Sequence, residues 1–339
     1  MAAGGVVLSY VKKVRYSREA LEAKRTRDQA KLKEYLVLTD DKKKEDYTPE
    51  AFDLTTRMLR INPEFYTVWN YRRIIMLKEL FLKSSPEAVN QLLNEDLDMT
   101  TAFLKQHPKV YWIWNHRRWC LENVPDGPSE EDPNGWRIAN WNKQLYLVDK
   151  MLDADARNFH AWNYRRYVLG NVPTLRSEQS ELVYTTRKIE ANFSNFSAWH
   201  QRTKLLTSLW DSGKLDPVKS KEEEFELVRN AMYTDPEDQS VWIYHRWLVG
   251  EGNDASLLQT EISSIQELLD EQPDSKWCME SIVYYKQLLL SKHSSMLGKE
   301  DERNLKTSCL TLLNELQKVD PDRKQRYLEL ANRMQESSL

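Results

Sequence analysis

Apolar, aromatic and basic positions recur along the chain at helical spacing, in a unit that is repeated five times. In the first four copies an aromatic residue stands three positions before a tryptophan, and an arginine stands three positions after it. The copies are Tyr66, Trp69 and Arg72; Tyr111, Trp114 and Arg117; Phe159, Trp162 and Arg165; Phe196, Trp199 and Arg202; and a fifth that keeps Trp242 and Arg246. Residues three positions apart lie on one stripe of an α-helix, so each copy predicts a helix with one aromatic and basic face.

A second apolar stripe precedes each copy and predicts a partner helix. Leu54, Met58 and Leu59 come before the first copy, and a polar residue followed by proline, as in Asn62-Pro63, separates the two helices. The unit is therefore predicted to be a helical hairpin. The tryptophans are 45, 48, 37 and 43 residues apart, which is longer and less regular than the roughly 34 residues of a tetratricopeptide repeat. A stack of unequal hairpins predicts an all-α fold, a curved solenoid.

The pattern divides the chain into four segments. Residues 1–14 form an N-terminal tail, and residues 15–48 form a charged amphipathic helix. Residues 49–250 hold the five repeats, which begin at the helix-capping pair Thr48-Pro49 and include a loop rich in Pro and Gly from Asn123 to Gly135. Residues 251–339 are predicted to form degenerate hairpins, since terminal repeats cover the open end of the core.

Composition and charge exclude several classes of function. The 339 residues include only 9 Gly and 12 Pro, which favours long helices, and the net charge of -3 gives no drive toward nucleic acid or anionic lipid. Cys120, Cys278 and Cys309 lie far apart, which fits a reducing compartment and provides no zinc-binding spacing. No stretch approaches the roughly 20 apolar residues of a membrane span. We expect a cytoplasmic chain with no nucleic-acid partner, no stable membrane insertion and no metal ligands of its own.

The repeated residues are expected to have a structural role. A tryptophan at five equivalent places is most simply a core anchor that buries its ring and satisfies one N–H. An arginine three residues later would be partly buried and would need a carboxylate or carbonyl partner in the next hairpin, where it would set the register between repeats.

Lys109 departs from this structural pattern. It stands with Tyr111 at the predicted start of a helix, where unpaired N–H groups favour anions, so the pair is a candidate phosphate site. The repeat does not dictate a lysine there, because the equivalent residues are Glu64, Arg157, Ser194 and Glu237. His160, at the next junction, can be a structural or a binding histidine. Without a Gly-rich loop or paired zinc ligands, the residues alone leave open a scaffold or one half of an active site.

The unit Pro-x-x-Tyr-x-x-Trp-x-x-Arg-Arg of residues 108–118 resembles the repeat of protein prenyltransferase alpha subunits, and the resemblance covers about residues 50–250. Residues 192–200 and 233–247 are more similar to the Rab geranylgeranyltransferase (type II) branch than to the alpha subunit shared by farnesyltransferase and type I geranylgeranyltransferase. Trp112 stands where the farnesyl-type subunit has a Gln that holds the substrate's carboxylate.

The resemblance implies an alpha-alpha superhelix, a right-handed solenoid crescent, around a beta subunit that carries zinc and the lipid pocket. The heterodimer would transfer geranylgeranyl from geranylgeranyl diphosphate to C-terminal cysteines of Rab GTPases presented by Rab escort protein, and this chain would be inactive alone. Lys109 matches the family lysine that reaches the diphosphate, with Tyr111 beside it. His160 stands where the family points a side chain toward the beta subunit, while Phe159 lacks the hydroxyl of the farnesyl-type tyrosine.

Two departures refine the comparison. The start Met-Ala-Ala lacks the histidine of the type II start Met-His-Gly, so a self-inhibitory contact with zinc is not carried over. The length leaves no room for an immunoglobulin-like insert or a leucine-rich repeat domain, which points to a compact, fungal-like form. The alternatives are a farnesyl-type alpha subunit and a non-catalytic helical-repeat scaffold.

Overall fold

The computed structural model describes residues 18–171 and 177–336. Within these ranges it contains fifteen α-helices and no strand, so the prediction of an all-α fold is confirmed. The predicted tail of residues 1–14 lies outside the described residues. None of the described helices combines the length and the apolar character that a membrane crossing requires.

The helices follow one another as a single N-terminal helix and seven hairpins. Helix α1 is Arg18–Lys43, and the hairpins are α2 (Pro49–Ile61) with α3 (Tyr66–Ile75), α4 (Pro86–Gln106) with α5 (Tyr111–Glu122), α6 (Gly135–Ala154) with α7 (Phe159–Asn171), α8 (Glu178–Ala191) with α9 (Phe196–Asp211), α10 (Pro217–Thr234) with α11 (Gln239–Val249), α12 (Ala255–Glu271) with α13 (Lys276–Lys292), and α14 (Lys299–Val319) with α15 (Lys324–Glu336). A π-helical turn, Met76–Leu80, extends α3. The segment from Asn123 to the residue before Gly135 is the long loop that the sequence predicts.

The described residues form two compact units. The first holds residues 18–151 and 160–171, which include α1 to α5, most of α6, and α7 from its second residue onward. The second holds residues 152–159 and 177–336, which include α8 to α15.

Polar side chains fix the junction between the two helices of a hairpin. At Asn62, Asp155, Asn192 and Asp235 the side-chain oxygen accepts a hydrogen bond from the backbone N–H two residues later, at 3.0, 3.3, 3.0 and 3.0 Å. This local turn competes with further helix, which explains why the first helix ends there.

The five repeated tryptophans are all buried, with at most 4% of the residue exposed. In Trp69, Trp114, Trp199 and Trp242 the indole Nε1 donates to the backbone carbonyl six residues earlier, at 2.8, 3.0, 2.6 and 2.7 Å. The carbonyl lies in the turn of the same hairpin. The bond satisfies an indole N–H that burial removes from water, and it ties the turn to the second helix.

The arginine three residues after the tryptophan joins one hairpin to the next. Arg72 donates through Nε and Nη2 to the two carboxylate oxygens of Asp96, with 2.8 Å between Nε and Oδ2. Arg202 binds Glu224 in the same way, at 2.7 and 2.5 Å. Arg117 donates instead to the neutral amide oxygen of Gln144.

The same guanidinium groups also bind the first helix of their own hairpin, through a pair of threonines that the sequence analysis missed. Nη1 of Arg72 donates to Thr55 and Thr56, both at 2.8 Å. The pattern repeats for Arg117 with Thr100 and Thr101, and for Arg202 with Thr185 and Thr186. In the third hairpin Asp149 takes the place of the second threonine and pairs with Arg165. A Thr-Thr pair 17 and 16 residues before three of the four arginines was the available signal.

The fifth hairpin departs from the arginine pattern. Three residues after Trp242 stands His245, which is fully buried and lies 2.9 Å from Glu261 and 2.7 Å from the hydroxyl of Tyr285. Arg246 follows His245 and is four residues after Trp242, so it does not occupy the position of the arginines in the earlier copies. The repeat therefore changes its chemistry at the fifth copy.

Candidate functional site

Lys109 lies in the turn before α5 and is exposed. The N-cap residue of α5, Val110, has no side chain that can accept from the first turn, and that turn carries no acidic residue. By contrast, Asn195, Asp238 and Ser275 cap α9, α11 and α13 with their side chains. The start of α5 thus combines a lysine with backbone N–H groups that no capping side chain covers, which favours an anionic ligand.

The structure brings Tyr111 and His160 together although they are far apart in sequence. Their ring centroids are 4.3 Å apart and the rings are nearly perpendicular, at 88°. Tyr111 is 58% exposed, and His160 is half-buried. Burial lowers the pKa of His160, and the positive charge of Lys109 lowers it further. We refer to Lys109, Tyr111 and His160 as the lysine cluster.

The lysine cluster is suited to binding a negatively charged group. At neutral pH its histidine is uncharged, because its pKa lies below the ordinary value of about 6.5. An ammonium, a phenol and a neutral imidazole can together supply donors to phosphate oxygens. The cluster contains no thiol and no carboxylate.

An aromatic pair, Tyr66 and Trp112, lies at the starts of α3 and α5. Trp112 directly follows Tyr111 of the lysine cluster in sequence. The ring centroids of Tyr66 and Trp112 are 5.3 Å apart, at an angle of 33°. Tyr66 is 52% exposed, and it occupies the same place in the first repeat as Tyr111 in the second. The helical spacing predicts one stripe for these aromatics but does not predict that the leading residue is exposed. A signal for this exposure was the position of the leading residue at the very start of the helix, directly after the turn.

One buried trio among the described residues has the atoms of a possible metal site, namely Asp96, His116 and Cys120, whose ligand atoms lie within 4.8 Å of one another. Asp96 is already bound by Arg72 and by Nε2 of His116, at 2.7 Å. Nδ1 of His116 accepts from Arg73 at 3.2 Å. Both ring nitrogens are therefore occupied, and two guanidinium groups lie beside the trio.

The protonation states of this trio also argue for a structural role. Burial would raise the pKa of Asp96, but hydrogen bonds and charges from Arg72 and His116 outweigh it and hold the pKa well below its usual value. Burial lowers the pKa of His116 to about 4 and raises that of the Cys120 thiol well above its usual value. The Asp96 carboxylate and both ring nitrogens of His116 are already engaged, and two guanidinium groups would repel a cation, so the trio does not fit zinc.

Comparison with known proteins gives a consistent family signal. The model for the protein prenyltransferase alpha subunit repeat matches residues 48–79, 93–124, 141–172, 178–209 and 221–251. Each matched segment includes one of the five repeated tryptophans.

Similar proteins extend the match to nearly the whole chain. The geranylgeranyl transferase type-2 subunit alpha of Schizosaccharomyces pombe is 39% identical, with 95% of this chain and 97% of that protein covered. The protein of the same description from Candida albicans is 33% identical, with 94% and 96% covered. The human protein is 38% identical over 73% of this chain, which corresponds to 42% of its own length.

A solved structure shows the same fold. One chain of the Candida albicans protein geranylgeranyltransferase-I complexed with GGPP superposes with a TM-score of 0.67, at 20% identity, over 88% of both chains.

Proposed function

The chain belongs to the protein prenyltransferase alpha-subunit family, in its geranylgeranyl transferase type-2 branch, and from this membership we propose that it is the alpha subunit of a heterodimer that transfers geranylgeranyl to protein cysteines. The lipid donor is geranylgeranyl diphosphate. The acceptors are the C-terminal cysteines of Rab GTPases, presented by Rab escort protein. The full-length similarity to the two yeast proteins supports the type-2 assignment over a farnesyl-type alpha subunit or a non-catalytic scaffold.

The observation that carries the proposal within this chain is the exposed lysine cluster at the start of α5. In transfer of an isoprenoid from its diphosphate, negative charge develops on the departing group. A positioned ammonium stabilises that charge more strongly in the transition state than in the ground state, which is the condition for a faster reaction. Lys109 would supply the ammonium and Tyr111 a phenol donor, while His160 holds the Tyr111 ring from the side.

The remaining parts of the reaction belong to the companion beta subunit in this proposal. Zinc, when bound, stabilises a cysteine as thiolate. Since the Asp96 trio does not fit zinc, we assign the metal and the lipid pocket to the beta subunit. This chain would then contribute a cation across the subunit boundary, and would not transfer lipid alone.

The proposal is tested with the Lys109→Ala variant, co-expressed with the beta subunit of the same organism. A charge-assisted contact is worth roughly 1.5 to 3 kcal/mol, so turnover with geranylgeranyl diphosphate, a Rab substrate and escort protein is expected to fall tenfold or more. Assembly of the heterodimer should be unchanged by size-exclusion chromatography.

Lys299→Ala is the matched control, because Lys299 is also an exposed lysine near the start of a helix but lies on α14. If Lys109→Ala turned over like wild type and this control, the role of the lysine cluster would be rejected. If the wild-type heterodimer used a Rab equally well without escort protein, the proposed mode of substrate presentation would be wrong.

A further inference from the structure

A cavity of about 700 Å³ opens in the second unit between α11, α13 and α15. Its walls combine aromatic rings and guanidinium groups, and they include Trp242, Trp247, Trp277, Arg246, Arg323 and Arg326. The volume is in the range of sites that bind small molecules or several side chains of a partner.

The repeat pattern changes in the hairpins that line this cavity. In the fifth copy Gln239 replaces the leading aromatic residue, and His245 replaces the arginine that joins hairpins. In the next hairpin Met279 stands six residues after the turn proline Pro273, where the repeat has tryptophan. Gln239 lines the cavity, whereas His245 and Met279 are buried and are not part of its lining.

Cations in the cavity are held against aromatic rings. The guanidinium carbon of Arg246 lies 4.3 Å from the ring centroid of Tyr284, and that of Arg323 lies 5.3 Å from the centroid of Trp277. Stacking of this kind orients a guanidinium while leaving its N–H groups at the edge for a ligand.

One of the three arginines in the cavity has no acidic partner among the described residues. Glu280, whose side chain is 9% exposed, pairs with Arg326 at 3.4 Å and with Arg323 at 3.8 Å. Arg246 has no carboxylate within 4.0 Å among the described residues. The other acid in the lining, Glu251, is 84% exposed and pairs outward with Lys292. Asp320, which is also buried, lies 3.8 Å from Arg323, so Arg323 and Arg326 both have acidic partners. Arg246 is the arginine of the lining that lacks a counter-ion among the described residues.

A smaller apolar cavity continues the surface onto α9. It has a volume of about 170 Å³ and shares Ile243 and Trp247 with the large cavity. Phe196 is 48% exposed and Ile243 is 46% exposed, so bulky apolar side chains face outward beside the arginines. The two cavities together form a surface that is cationic at one end and apolar at the other, which we call the arginine cleft.

We propose that the arginine cleft receives a segment of the companion beta subunit in which an Asp or Glu stands beside a bulky apolar residue. The carboxylate would pair with Arg246, and the apolar side chain would fill the space between Phe196 and Ile243. A carboxylate matches the single uncompensated charge, whereas a phosphate dianion would meet the carboxylate of Glu280. This inference rests on the proposed function, because it takes the heterodimer as given.

The first test is the affinity of the heterodimer. The chain and its variants are mixed with the beta subunit of the same organism, and the dissociation constant is measured by mass photometry over a dilution series. The double variant Arg246→Gln/Arg326→Gln is expected to raise the dissociation constant at least tenfold, and to weaken its dependence on salt concentration. Arg303→Gln, an exposed arginine on α14 outside the cleft, is the control.

An affinity of the double variant within twofold of wild type overturns the proposal, provided that circular dichroism shows the variant folded. If the double variant misfolds, a second test decides. In that test a photo-crosslinking residue substitutes for the exposed Gln239 at the rim of the cleft. Crosslinks to a beta-subunit peptide with adjacent acidic and apolar residues support the proposal, and crosslinks elsewhere or none overturn it. Failure of the wild-type chain to form any heterodimer would instead reject the proposed function.

Discussion

The bond between Arg202 and Glu224 allows a sharp test of how neighbouring hairpins are held together. Both side chains are buried, with 8% and 4% of the side chain exposed, and both carboxylate oxygens accept from the guanidinium. Arg202→Met keeps much of the side-chain volume and removes the charge. Glu224 is then left buried with only the hydroxyl of Tyr244, at 2.5 Å, to satisfy it.

The expected cost follows from that stranded carboxylate. Breaking a buried pair by removing one partner destabilises a protein by about 3 to 5 kcal/mol, because the remaining charge is uncompensated. The chain provides its own remedy, since the equivalent acceptor for Arg117 is the neutral Gln144. Adding Glu224→Gln to Arg202→Met removes the stranded charge and keeps an acceptor for Tyr244. We expect the double variant to recover about 2 kcal/mol relative to Arg202→Met alone.

The assay is urea denaturation followed by tryptophan fluorescence, with the free energy of unfolding extrapolated to water. Arg117→Met is the matched comparison, and its cost should be about 1 to 3 kcal/mol because it strands no charge. Equal instability of Arg202→Met/Glu224→Gln and Arg202→Met would contradict this expectation, since the stranded charge would then carry none of the cost.

Two further predictions concern buried groups. His116, whose Nδ1 accepts from Arg73, should stay neutral in an NMR titration until the pH approaches its pKa of about 4. Because the histidine of the unfolded chain binds a proton near pH 6.5, His116 should lower the free energy of unfolding as the pH falls from about 6.5 to 4. Titration of His116 near pH 6.5 in the folded state would contradict this prediction. Trp199→Phe should lower the free energy of unfolding by about 1 to 3 kcal/mol, measured by thermal or urea unfolding, since the carbonyl of Phe193 loses its donor. Trp112→Phe should cost less, because Trp112 is half-buried and its indole makes no hydrogen bond among the described residues. Equal costs for the two variants would count against the role of the bond.

The helices and their junctions follow from local sequence. The spacing of three residues between the aromatic, the tryptophan and the arginine is a helical period, and the turn at Asn62 is set by its own side chain and the next two residues. Such signals need no knowledge of distant contacts. For this reason the all-α fold and the hairpin junctions could be predicted from the chain alone.

Contacts between hairpins are less accessible from sequence. Tyr111 and His160 meet because α5 and α7 place their starts side by side, and nothing within either segment encodes that distance. The arginine cleft is harder still, since its walls come from α11, α13 and α15, which are far apart in sequence. The sequence marked Lys109 as a candidate binding residue only because the equivalent residues of the other copies are not lysines.

The indole bond inside four of the hairpins has a consequence for how the chain acquires its structure during synthesis. The bond from Trp69 to the carbonyl of Pro63 spans six residues, and those from Trp114, Trp199 and Trp242 span the same short distance. Each of these four turns can thus close as soon as its own second helix leaves the ribosome, before the following hairpin is translated. Contacts at such short range form quickly and expose little surface to other chains, so growth from the N-terminus can proceed one hairpin at a time.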